Sequence, residues 1–194
     1  LTAGDALSGA HRKNPLGAIA AFRAAFPTDE RVKLVIKTHS RARVGAEAER
    51  VVWDAVAQAA RDDPRIRFVD RIASDDEMAA LLEGADCLVS LHRAEGFGLP
   101  IVEAMCMGLP VLATNWSANT EYMTEENSLP VRYRLVPVQD PQLKYETDNV
   151  EWAEADIEHA AELMTMAADD PVVCRRLGER ARTDAQKLFS TFSL

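Results

Sequence analysis

The chain has 194 residues, 47% of them hydrophobic and 27% charged, with a formal net charge of −9. That length supports one domain with a sizeable core, and the acidic balance lacks the basic footprint of a nucleic-acid binder. No run approaches the ~18 consecutive apolar residues of a membrane span, and nothing at the start reads as a secretory signal. In chain order, residues 14–26 carry apolar side chains at helical spacing behind Pro15, a favoured first helical residue. A short apolar strand is predicted over 32–36, an amphipathic helix over 46–60 and a strand over 66–69. Ser74 and Glu77 form a capping box ahead of a helix through Met78, Leu81 and Leu82. A strand follows over 86–91, a helix over 99–107 with Pro100 near its start and Gly108 past its end, and a strand over 109–113.

From 127 to 150 the character changes. Asn127, Ser128, Pro130, Pro137, Asp140 and Pro141 interrupt regular structure, leaving one predicted strand over 131–138 and then a polar loop. Two helices, 157–168 and 172–189, are divided by Asp170-Pro171. Strands alternating with helices predict an α/β domain: a parallel sheet with helices on both faces, whose ligands bind beyond the carboxyl ends of the strands. Cys87, Cys106 and Cys174 sit in apolar patterns and read as buried free thiols, and no Cys/His cluster has zinc-ligand spacing. The acidic pairs Asp62-Asp63, Asp75-Asp76 and Asp169-Asp170 lie at helix boundaries, where Asp caps, so none reads as a metal site.

The segment 95–103, Glu-Gly-Phe-Gly-Leu-Pro-Ile-Val-Glu, places a carboxylate on each side of a glycine turn that enters a helix. Backbone N–H groups and a helix N-terminus hold phosphate, and carboxylates accept hydrogen bonds from sugar hydroxyls. The plain readings are a solvated turn for Glu95 and a macrodipole complement for Glu103. Lys37 and His39 follow one predicted strand, and His92 and Arg93 another, so all four stand near the ligand edge. A surface lysine, a capping histidine and a turn-fixing His92 are the plain readings there.

The Glu-to-Glu block, the run 104–114 and Arg12-Lys13-Asn14-Pro15 resemble glycosyltransferase family 4 (glycosyl transferases group 1). The resemblance covers residues 5–190 and implies the C-terminal, Rossmann-like half of a GT-B enzyme, with residues 1–194 forming one nucleotide-sugar-binding domain. The N-terminal acceptor domain would be absent from this chain, and the last helix, which crosses to that domain in the family, would be poorly anchored. The resemblance implies a transfer from a nucleotide diphosphate sugar to a carbohydrate, lipid or protein acceptor, with retention at the anomeric carbon. It assigns Lys13 to the donor diphosphate, Glu95 to the sugar and Glu103 to the ribose. Gly96, Phe97, Gly98 and Leu99 would offer backbone N–H groups, with Phe97 also a packing residue. The family's phosphate-binding Arg precedes that Lys by several residues; Asp5, Ser8 and Gly9 stand there, leaving Arg12 and Arg93 as further candidate cations. The loop at Arg71 and Ile72 would border the base, and residues 115–120 the sugar. No cofactor or metal is expected, and the setting is cytoplasmic polysaccharide or glycoconjugate synthesis, with any membrane contact supplied by the other domain. A nucleotide-sugar epimerase and a non-catalytic nucleotide-binding module are the competing readings.

Overall fold

A computed structural model describes residues 1–140 and 149–192. In chain order the elements are β1 (Thr2–Ala3), α1 (Ala10–Lys13), α2 (Pro15–Ala25), β2 (Leu34–Thr38), α3 (Glu47–Asp62), β3 (Ile66–Asp70), α4 (Asp75–Glu83), β4 (Leu88–Ser90), α5 (Leu99–Met107), β5 (Val111–Thr114), β6 (Leu129–Val131), β7 (Tyr133–Pro137), β8 (Glu151–Ala155), α6 (Ile157–Asp169) and α7 (Pro171–Phe192).

β1, β2 and β3 pair in parallel, with Ile36 between Thr2 and Phe68, and β4, β5 and β6 pair in parallel, with Leu112 between Val89 and Leu129. Leu1 joins the two sets: its amine donates to the Cys87 carbonyl (2.8 Å) and its carbonyl accepts from the Val89 N–H (2.7 Å). The order across the sheet is therefore β3-β2-β1-β4-β5-β6, and it reverses direction between β1 and β4. Successive strand residues feed opposite faces: Leu34, Ile36, Val89 and Leu112 pack into the core beneath α2, α3 and α6. Val35, Leu88, Val111 and Ala113 pack into the second core, with residues of α4, α5 and α7. Both faces are buried, as a parallel sheet requires. Among the described residues no helix is long and apolar enough to cross a membrane.

The predicted helices form within one to three residues of their expected ends, and the Ser74–Glu77 capping box is present. The acidic pairs sit at helix ends, and Asp170 caps α7 by accepting from the Val172 and Val173 N–H groups. The strand expected over 131–138 is in fact two. β6 continues the parallel sheet; the chain then turns at Arg132, whose N–H donates to His159 Nδ1 (3.0 Å), and β7 leaves to pair antiparallel with β8. β8 falls in the stretch expected as a polar loop; its Glu and Ala residues are poor strand formers, and burial of Trp152 and Ala153 overrides that preference. Pro141 lies outside the described residues. Of the three free thiols only Cys174 is buried; Cys87 and Cys106 are half-buried.

The last helix is well anchored as far as Ala185, contrary to expectation. Leu177, Ala181 and Ala185 are buried, and Arg182 donates to the Met107 carbonyl, satisfying the C-terminal end of α5. Gly178 permits this approach, since a Cβ there would lie 1.9 Å from the Gly108 carbonyl oxygen. Gly178→Ala should therefore push α7 off α5 and cost about 1–3 kcal/mol, as overpacking does. Urea denaturation followed by circular dichroism measures this, and an unchanged midpoint would show that the contact yields without cost.

Candidate functional site

The two loops that leave β1 and β4 meet where the strand order reverses. In open α/β sheets that crevice, beyond the carboxyl ends of the strands, is where ligands bind. The β1 loop is shaped by Asp5, whose carboxylate accepts from the Leu7 N–H (3.0 Å), and by Gly9 at φ 90°, which starts α1. Asn14 then ends α1 in the left-handed region at φ 53° and caps α2, its side-chain oxygen accepting from the Gly17 N–H (3.1 Å). The same amide donates to the Leu91 carbonyl (3.0 Å), tying the β1 loop to the β4 loop.

Across this tie Lys13 ion-pairs with Glu95, and Arg12 lies 3.4 Å from the other Glu95 oxygen. Arg12 is held by the Ser8 and Ala94 carbonyls, at 3.0 and 2.7 Å. All three side chains are mostly buried, with 10–15% of each exposed, so two cations share one carboxylate and the cluster is positive by one charge. Burial alone would push the Glu95 carboxyl up, but the Lys13 and Arg12 charges outweigh it and hold the group below the ordinary carboxylate value.

His92 supports Glu95 from beneath. It is wholly buried, and burial holds its ring below the ordinary histidine value. Nε2 faces two acceptors, the Trp116 carbonyl (3.1 Å) and Asn119 Oδ1 (3.0 Å), so it carries the proton; Nδ1 accepts from the Ser90 hydroxyl (3.0 Å). His92 thus fixes the turn. Lys37 is not a surface residue: it is buried, and its ammonium donates to the Thr38 and Arg71 carbonyls (2.9 and 2.6 Å), closing the β2 and β3 ends. His39 lies 3.5 Å from Asp5 and bonds the Ser40 hydroxyl. Arg71 pairs with Glu77 (2.7 Å), while Ile72 is 79% exposed.

The glycine turn runs from Glu95 into α5. Gly96 faces open space, with no atom within 4 Å of where a Cβ would sit. Gly98 lies at φ 85°, and a Cβ there would approach the Tyr122 hydroxyl to 2.7 Å, so both backbone and space demand glycine. Tyr122 donates to the Phe97 carbonyl, and the two rings lie 5.8 Å apart. Phe97 and Leu99 are both exposed. No side chain caps the N-terminus of α5, leaving its positive end at the crevice. Glu103 stands on the surface a turn further on; loss of part of its carboxyl's hydration and the Asp75 charge push that carboxyl up.

Arg93, expected as a phosphate cation, is directed elsewhere. Its guanidinium forks onto Glu154 at 2.7 and 3.0 Å, donates to the His11 carbonyl and lies over the Trp152 ring. A strand invisible to sequence patterning, β8, supplies two of these three partners, Glu154 and Trp152. Sequence reasoning missed Glu49, although it had a signal, a carboxylate on the apolar stripe of α3 with Trp53 and Val56. Asn119 belongs to the 115–120 loop that the resemblance set beside the sugar; its side chain bonds His92 Nε2 and the Thr114 carbonyl. Among the described residues no group of three His, Cys, Asp or Glu side chains is placed to hold a metal.

This crevice belongs to a recognisable class. The family described as glycosyl transferases group 1 matches residues 10–146, and the chain belongs to that family. Its fold is that of the C-terminal domain of GT-B glycosyltransferases. It superposes on the C-terminal domain of a glycosyl transferase group 1 family protein from Francisella tularensis with a TM-score of 0.67 at 19% identity, covering 97% of this chain and 83% of that one. It matches sucrose-phosphate synthase from Thermosynechococcus elongatus with a TM-score of 0.65 at 26% identity, over 92% of this chain and 38% of the other. The Anabaena protein HepE, solved in complex with UDP, is similar in fold with a TM-score of 0.62 at 16% identity, over 99% of this chain and 48% of HepE. In sequence, the MMP alpha-(1->4)-mannosyltransferase of Mycolicibacterium hassiacum is 34% identical over 119 residues, 60% of this chain and 24% of that protein. The chain thus spans about a quarter of that relative's length.

The Glu95 ion pairs have a pH signature. A carboxyl held below its unfolded value, about 4.3, stabilises the fold above that value and loses the contribution as pH falls through its folded value. Glu95→Gln should cost about 1–3 kcal/mol at pH 7 by stranding two cations, and the difference from wild type should shrink towards zero below about pH 4. Urea titrations at both pH values measure it; a pH-independent difference would mean that the pairs contribute nothing.

Proposed function

We propose that this chain is the donor-binding part of a glycosyltransferase that moves a hexose from a nucleotide diphosphate sugar to an acceptor, with retention at the anomeric carbon. The observation that carries this reading is the convergence, at the strand-order reversal, of Lys13 and Arg12 with Glu95 beside the uncapped start of α5. The sequence likeness to a mannosyltransferase and the fold shared with a UDP-bound protein support it.

Lys13 and Arg12 offset the charge that gathers on the departing diphosphate, where preorganised cations in a partly dry site act most strongly. To do so Lys13 turns from Glu95 to the phosphates, which frees the Glu95 carboxylate to accept hydrogen bonds from the sugar hydroxyls. The N–H groups of Gly96, Phe97, Gly98 and Leu99 approach the phosphates, and the open space at Gly96 lets a ligand close on the backbone. Glu103 accepts from the ribose hydroxyls. With two cations in place the diphosphate needs neither a metal nor a cofactor. Arg93 contributes indirectly, by bracing the loop that carries Lys13. The acceptor is held by a second domain.

Thermal shift across UDP-, GDP- and ADP-sugars and the free nucleotides tests this. A ligand at 100 times its Kd stabilises by about 2.7 kcal/mol. One base family should raise the melting temperature of the wild type, and Lys13→Ala and Glu103→Ala should each remove most of that rise. A shift that both variants keep in full would refute the site.

A further inference from the structure

Helix α1 carries Arg12 and Lys13, yet its own sequence does not hold it in place. It is four residues long, its Gly9 cap has no side chain to offer, and so short a helix does not persist by itself. Its first N–H groups are satisfied from another element. The Glu49 carboxylate, in the first turn of α3, accepts from the Ala10 N–H and the His11 N–H (3.4 Å), and lies 3.0 Å from His11 Nδ1. Glu49 is wholly buried. Shutting a carboxylate from water is costly unless its oxygens are bonded, and an apolar side chain would suit that stripe of α3 at less cost. The carboxylate's partners all lie in α1, one and two residues before Arg12. At the far end Asn14 fixes the exit, and Arg93 donates to the His11 carbonyl. α1 is therefore clamped at its front by Glu49 and at its back by Asn14, with Arg12 and Lys13 between.

We propose that Glu49 is a positioning residue: its buried carboxylate caps α1 from α3 and so sets Arg12 and Lys13 against Glu95. It touches neither substrate nor reacting atoms; it acts through Lys13. The part of the proposal that concerns binding rests on the donor-site reading above, whereas the placement of Lys13 does not.

The first measurement needs no ligand. The Glu95 carboxyl is faced by Lys13, Arg12, His92 and Tyr122, and its titration, followed by carbon NMR, reports how closely the cations are held. Glu49→Gln keeps the shape but turns an acceptor into a donor against the α1 N–H groups. In that variant Glu95 should titrate about one pH unit higher, in the same direction as in Lys13→Ala. Glu49→Asp, which keeps the charge one methylene short, carries the same expectation and serves if the Gln variant does not fold. An unchanged Glu95 titration in either folded variant overturns the proposal.

The second measurement uses UDP and, in parallel, GDP. Glu49→Gln should weaken the nucleotide that binds by about tenfold, and the Lys13→Ala, Glu49→Gln double variant should bind no more weakly than Lys13→Ala alone. Additive losses would mean general loosening and would also overturn the proposal. If Lys13→Ala binds both nucleotides as the wild type does, the donor-site reading falls, and the Glu95 titration still decides the role of Glu49.

Discussion

The site depends on β1 and β4 lying side by side. Two backbone hydrogen bonds at Leu1 make that pairing, and it brings together two loops that are some 80 residues apart in sequence, as the Lys13–Glu95 separation of 82 shows. The reversal of strand order at this seam sends the following helices to opposite faces. In open α/β sheets it is above such a reversal, beyond the carboxyl ends of the strands, that ligands bind.

Within the crevice the charge is local. A protein with a net charge of −9 does not attract a diphosphate through its overall field, and screening confines exposed charges to about a Debye length. Lys13 and Arg12 stand instead in a mostly buried position, where a charge interacts strongly with whatever faces it. Glu95 prevents these cations from standing desolvated and unpaired, and in the proposed function it is the group they would exchange for a phosphate. The supporting shell is made of neutral or fully paired groups: His92 without a second proton, Asn14 and Asn119 bonded to carbonyls, and Arg93 neutralised by Glu154. None of them competes with the two cations for an incoming anion.

The β7–β8 ribbon shows how a peripheral element reaches the site. It belongs to neither parallel set, yet Glu154 and Trp152 take up the Arg93 side chain, the Arg93 carbonyl accepts from the Ala153 N–H (2.9 Å), and the Arg93 N–H donates to the Arg12 carbonyl (2.8 Å). The ribbon thereby fastens the β4 loop to α1, as Glu49 fastens α1 to α3.

Much of this was legible in the order of residues, for physical reasons that act locally. Helical spacing behind Pro15, the Ser74–Glu77 box, and Pro100 and Gly108 around α5 each depend on a few neighbouring dihedrals and hydrogen bonds, so they survive without knowledge of the fold. The Glu95–Glu103 block was legible because a glycine turn entering a helix is itself a local structure. What a side chain meets across the sheet is not local. Whether Arg93 faced a phosphate or a carboxylate was decided by a strand whose Glu and Ala residues favour helix. Lys37 looked like a surface lysine until two carbonyls closed over it, and Glu49 became a cap only when α3 packed against α1. Sequence by itself determined most of the helices and parallel strands, their alternation and residues that could carry the chemistry, because those follow from short-range sterics and hydrogen bonding. Tertiary structure alone decided which charges are paired and which are free to meet a ligand, because electrostatic partners are set by distance in space.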